Sequence, residues 1–223
     1  MVIIKSIIDL STKFSRKNRE LSLKDIPYVF GLASPIVSYV GIFLAANLTS
    51  EFTWTGKSLS WLGETTSQYN FLFNTSIKIG AVIGIPFALM LLAEGETRLK
   101  KLSALLLTFS LLGLLGVGTF HLDIDPSIHL TSATVFFMAA TFSMFVWGSG
   151  VVLEGRPRWG LVVIWLGVLQ ILGWAIYSIQ AEMFGANAIQ GIAIPESHGS
   201  TLFGIWVVSV ARRKLGYEAI KFE

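Results

Sequence analysis

The chain has 223 residues, of which 53% are apolar and only 14% charged, and its mean hydropathy is +0.66. Soluble domains carry about 25% charged residues, so too little polar surface is present to cover a water-soluble globule. The composition reads as an all-α integral membrane protein of one domain. The absence of cysteine excludes disulfides, thiolate metal sites and thiol nucleophiles. The net charge of +3 follows from membrane topology, so no nucleic-acid partner is expected.

In chain order, residues 1–25 combine Ile3, Ile4, Ile7, Ile8, Leu10 and Phe14 at near-helical spacing with many Lys and Arg. That pattern predicts a short amphipathic helix on the cytoplasmic membrane surface. It lacks the continuous apolar core and small-residue cleavage site of a signal peptide. Spans follow at Tyr28–Leu48, Tyr69–Leu92, Leu102–Phe120, His129–Leu153 and Trp159–Ala181. A sixth, over about Gly191–Ala211, is interrupted by Pro195, Glu196 and His198. The expected architecture is therefore a cytoplasmic arm (1–25), a six-transmembrane-helix bundle (26–214) and a cytoplasmic tail (215–223).

Of 17 basic residues, 15 fall in the N-terminal arm, the second-to-third and fourth-to-fifth connections and the tail. This bias predicts both termini in the cytoplasm of a multi-pass plasma-membrane protein. The outer loops are then 49–68, 121–128 and 182–190. Gly80 and Gly84, and the series Gly113, Gly116 and Gly118, predict close helix contacts in the second and third spans.

Lys78 precedes Glu94, and Glu196 precedes Arg212, by 16 residues each. At about 1.5 Å per residue, both lie about 24 Å from the inner edge of a core about 30 Å thick. Intramembrane charges pair or line a wet cavity, so Lys78 and Glu196 are expected to share one; snorkelling of Lys78 is the rival expectation. His198, His121 and His129 fall at the same membrane face, with Asp123, Asp125, Ser60, Glu64 and Asn74. Nitrogen and oxygen ligands suit a divalent ion such as zinc. His129 and His198 are the leading metal candidates, with His121, Asp123 and Asp125 behind them. Asp125-Pro-Ser also reads as ordinary turn and cap chemistry.

Ser60-Trp-Leu-Gly63, then Phe71-Leu-Phe-Asn74 running into Ile79-Gly80, resembles an uncharacterised prokaryotic family of six-span membrane proteins, a domain of unknown function. Gly116-Val-Gly-Thr-Phe120 followed by Asp125, His129 and Phe136-Phe137 is similar to that family's second signature. The resemblance implies a bacterial or archaeal plasma membrane and no established activity. Proline is common in the family where this chain has His121, so the resemblance carries His129 and not His121. More remotely, outward His, Asp and Ser residues at helix ends are similar to metal-dependent membrane amidases of the alkaline ceramidase and adipokine-receptor superfamily, whose seven spans and paired-His motif are missing here.

The resulting expectation is a pocket at the extracytoplasmic side, lined by Ser60, Glu64, Asn74, Lys78, His129, Glu196 and His198, that binds a lipid headgroup or a small polar ligand. The alternatives are a metal-dependent hydrolase acting on lipid, an accessory subunit of a larger membrane complex, and a transporter.

Overall fold

A computed structural model describes residues 22–184 and 191–216, and no strand occurs among them. The expected amphipathic arm lies outside the described residues. Six long helices follow one another: α1 (Ile26–Leu48), α2 (Asn70–Ala93), α3 (Arg98–Thr119), α4 (Pro126–Leu153), α5 (Pro157–Phe184) and α6 (Ala193–Lys214). Prolines open α4 and α5, where the missing N–H costs nothing. The Thr97 hydroxyl caps α3 by accepting the Lys100 N–H at 3.3 Å. Arg212, Arg213 and Lys214 close α6, where cations favour the carbonyl end of the helix.

The helices form a ring. Each packs on the next in sequence, α6 returns to α1, and α4 also reaches α6. The interior is apolar and aromatic, with Phe87, Leu91, Leu107, Phe136, Met144, Trp147, Phe203 and Trp206 in one continuous cluster. The outward faces are apolar as well: Ile36, Val40, Phe43, Val82, Phe109, Met138, Phe142 and Trp165 are all exposed. Such a belt would aggregate in water and is the normal surface of a bundle in lipid.

Among the described residues five helices are long and apolar enough to cross a membrane, where the sequence predicts six. The exception is α6. Its first two turns carry Glu196, Ser197, His198, Ser200 and Thr201, which dilute its apolar character although its 22 residues suffice in length.

Lipid gives helices no hydrophobic drive to associate, so small residues and buried hydroxyls must hold them together. Ser103 and Ser143 reciprocate across α3 and α4, each hydroxyl donating to the other residue's carbonyl at 2.8 and 2.7 Å. Ser110 donates to the Phe136 carbonyl at 3.0 Å. A Cβ on Gly113 would meet the Phe136 nitrogen at 2.6 Å, and one on Gly148 would meet the Gly160 carbonyl at 2.6 Å. Backbone thus lies against backbone in both the α3–α4 and α4–α5 pairs.

Candidate functional site

The loop between α1 and α2 organises the end of the bundle opposite the basic connections. Residues 49–69 form turns and one short 3-10 helix, Ser60–Gly63. They fold inward because Phe52, Leu59 and Leu62 are apolar, and all three are buried against Ala45, Phe73, Ile77 and Val117. The Ser58 hydroxyl accepts the Trp61 N–H at 3.0 Å and fixes the turn. The Lys57 ammonium sits 4.2 Å from the Trp61 ring centre, a favourable cation–π placement.

Polar groups from α2, the α3–α4 connection and α6 pin this loop down. Asn70 donates to the Glu64 carbonyl at 3.0 Å, and Asn74 donates to the Gly63 carbonyl at 2.8 Å. Asp123, in the α3–α4 connection, accepts from the Thr65 N–H at 3.0 Å and also from its hydroxyl. The Ala193 N–H, at the start of α6, donates to the Lys57 carbonyl at 3.2 Å. The Glu196 carboxylate accepts the Leu59 N–H at 2.6 Å through Oε2. Among the described residues its Oε1 meets only the Ser60 hydroxyl, at 3.5 Å, the outer limit of a hydrogen bond.

Beneath the loop lies a cavity of about 80 Å³. Leu59 and Ser60 lie at one end. Pro35, Tyr39 and Ile42 of α1 and Ser200, Phe203 and Gly204 of α6 line its length, with Phe73, Val117, Ala133 and Phe136 from the three intervening helices. The Tyr39 hydroxyl is shared with Ser200 and Thr201, each at 2.9 Å, and ties α1 to α6 beside the cavity. Among the lining residues Glu196 alone carries a charge.

Glu196 and Ser60 both line this cavity. Lys78 does not join them. Glu196 forms no ion pair among the described residues, and the Lys78 stem packs against Gly118 of α3. Depth along a helix does not specify direction around it, and here the loop backbone supplies the donor that the sequence assigns to Lys78.

Asn74 also approaches the His121 ring, Nδ2 to Nε2, at 3.4 Å. His129 is only 2% exposed and donates from Nδ1 to the Phe120 carbonyl at 2.7 Å, which ties α4 to the end of α3. His198 is exposed and donates from Nε2 to the Leu169 carbonyl of α5 at 3.1 Å. His129 and His198 are thus held by different helices. Among the described residues no three His, Asp or Glu side chains converge closely enough to hold a metal ion. Asp125 occupies the cap position of α4 without a side-chain capping bond, and Pro126 follows it.

Tyr39, Ser200 and the Leu59 N–H complete the site, and the sequence reading did not include them. Ser200 stands one helical turn after Glu196, which is a legible signal. Tyr39 and Leu59 become relevant only through the fold.

Two acids outside the helices shift in opposite directions. The Thr65 hydrogen bonds hold Asp123 below its ordinary range. Burial, then the nearby Asp123 charge, push Glu64 up against the opposing pull of Lys57. Because the folded value of Asp123 is depressed, its contribution is full above its unfolded value of about 3.9 and is lost as pH falls through the folded value. Glu64 has the reverse sign: its contribution is present below its unfolded value and is lost as pH rises through the folded one. Acidification from pH 5 to pH 2 is therefore expected to loosen the Thr65 tie. Amide protection factors, taken relative to the free-chain exchange rate at each pH, should fall at residues 62–67 in the native chain, and Asp123→Ala, which has no acceptor for Thr65, should already be loose at pH 5 and change less.

A family model described as a protein of unknown function (DUF998) matches residues 32–213, from the second turn of α1 to the end of α6. No curated protein and no solved structure matches the chain.

Proposed function

The chain belongs to the DUF998 family, whose description names no activity, and for this member we propose a membrane-embedded binding protein that holds one end of a lipid-like amphiphile in the cavity beneath the 49–69 loop. α6 is the sixth span in this reading. The basic connections face the cytoplasm of a plasma membrane, and the capped end faces outward.

One observation carries the reading. A cavity with an almost wholly apolar lining ends at a half-buried carboxylate with a spare oxygen, beside the Ser60 hydroxyl. Ligand sites characteristically combine apolar walls with a few placed polar groups. An engineered cavity of about 150 Å³ accepts benzene, so the smaller space here suits a slender group, with the remainder of the molecule in the bilayer. Asn74, Glu64 and His129 serve the site indirectly, by holding the loop and the α3–α4 connection. Lys78 and His198 are not among its lining residues.

Ala133 lines the cavity, and Ala133→Leu would place three further carbons in it. Native mass spectrometry of protein purified in mild detergent should find a retained amphiphile on the native chain and lose it in Ala133→Leu. Equal retention by both, or none by either, would remove the cavity as the binding site.

A further inference from the structure

The cavity's polar groups specify which amphiphile it takes. Resting on the binding reading above, we infer that the polar end of the ligand is a protonated amine, so that the site selects a long-chain ammonium amphiphile over anionic or uncharged ones.

The first ground is charge. Glu196 is the single ionisable acid among the lining residues, and no Lys, Arg or His joins it there. The ion pairs among the described residues, Lys100 and Arg156 with Glu154 and Lys214 with Glu94, all lie at the basic end of the bundle. Lys78, the nearest basic candidate by depth, packs on Gly118 instead. A phosphate or carboxylate entering this space would face a like charge with no cation to offset it. An ammonium would supply the counter-charge that a carboxylate at membrane depth otherwise lacks.

The second ground is hydrogen-bond polarity. Oε2 already takes a short bond from Leu59, whereas among the described residues Oε1 has only Ser60 at 3.5 Å and keeps lone pairs to offer. Three of the other four hydroxyls along the wall have committed their protons: Ser38 donates to the Ser34 carbonyl at 3.1 Å, Tyr39 to Ser200, and Ser200 to the Glu196 carbonyl at 2.8 Å, which leaves the Ser34 hydroxyl, at the far end from Glu196, as the remaining donor. The wall is thus rich in acceptors and poor in free donors. An ammonium, with donors only, is complementary to it.

The third ground is shape. Beyond Glu196 the lining is Ile42, Phe73, Leu114, Ala133, Phe136 and Phe203, which an alkyl chain fills without leaving a polar group unpaired.

The test uses the full chain in an uncharged detergent at pH 7, with dodecylamine, dodecanoate and dodecanol as probes of equal chain length. Binding is read by calorimetry, and Ala133→Leu corrects for partitioning into micelles. Saturable binding of dodecylamine is expected, with dodecanoate and dodecanol weaker. Glu196→Gln, which keeps an acceptor for the Leu59 N–H, should weaken the amine about ten-fold, the loss expected of a charge-assisted bond. If dodecanol or dodecanoate binds as well as the amine, or Glu196→Gln leaves amine affinity unchanged while Ala133→Leu abolishes it, the amine specificity is wrong and the cavity reading stands. If no probe binds beyond the Ala133→Leu background, the cavity reading falls and takes the specificity with it. Selectivity among the three probes on the native chain decides the matter even if Glu196→Gln folds poorly.

Discussion

Gly113→Ala is expected to destabilise the bundle by about 1–3 kcal/mol, an unusual outcome for a glycine-to-alanine change within a helix. Glycine in a helix interior costs about 0.8–1.0 kcal/mol relative to alanine, so the same substitution normally helps. Here a Cβ would stand 2.6 Å from the Phe136 nitrogen and 2.8 Å from the Ser132 carbonyl oxygen. Both obstacles are backbone atoms of α4 and cannot turn aside as a side chain would. Relief requires α3 and α4 to separate, which would also stretch the reciprocal Ser103–Ser143 bonds and the Ser110–Phe136 bond in the same interface. Gly150→Ala is the internal comparison. Its Cβ would meet Leu99 Cβ at 3.3 Å and Lys100 Cγ at 3.8 Å, contacts that a small adjustment absorbs. Thermal unfolding in detergent should place Gly113→Ala well below the native chain and Gly150→Ala at or slightly above it. Equal midpoints for the two variants would show that the helices do not approach so closely at Gly113.

Glu196→Leu should release the 49–69 loop at a cost of about 1–3 kcal/mol, the range for leaving a buried donor without its acceptor. Among the described residues the Leu59 N–H has no other acceptor, and Leu59 itself is 6% exposed. Water must therefore reach the N–H, or the turn must lift. Amide exchange of residues 57–63 is expected to accelerate far more than that of the α3–α4 interface. Glu196→Gln should resemble the native chain in this assay, because its amide oxygen can still accept from Leu59. Ser60→Ala should also be mild, since its bond at 3.5 Å contributes little. Exchange in Glu196→Leu that matched the native chain would mean that apolar burial of Phe52, Leu59 and Leu62 holds the loop without the carboxylate.

The two variants probe different layers of legibility. The importance of Gly113 is visible as a pattern, because small residues at helical spacing mark close approach in a membrane helix. The pattern does not reveal which neighbour approaches. Gly148 and Gly160 make an equally close contact between α4 and α5, on two helices whose glycines form no tight series like that of α3. Glu196 stands out in sequence as an acid within an apolar segment. Its partner does not, since the Leu59 N–H is a backbone group common to every residue but proline.

The loop makes the same point about polarity. Its length and its Ser, Thr and Lys content suggest a solvated connection, yet Phe52, Leu59 and Leu62 turn it into a cover. Once it folds inward, Asn70, Asn74, Asp123 and Glu196 become its fasteners, and the polar pocket expected at this depth becomes an apolar cavity with one charged end.

By itself, the sequence determined the membrane class, the family, and the positions of the helices to within a few residues: Tyr28–Leu48 against Ile26–Leu48, Tyr69–Leu92 against Asn70–Ala93, and His129–Leu153 against Pro126–Leu153. Those properties are local, because a run of apolar residues long enough to cross lipid must satisfy its own backbone as a helix. The tertiary structure alone decided that Lys78 and Glu196 part company, that His129 and His198 bond to different helices, and that a loop amide completes the carboxylate's shell. Rise along a helix places a residue in depth. Its direction around the axis takes effect only against neighbours, and these come from segments as far as 162 positions away, the separation of Tyr39 and Thr201.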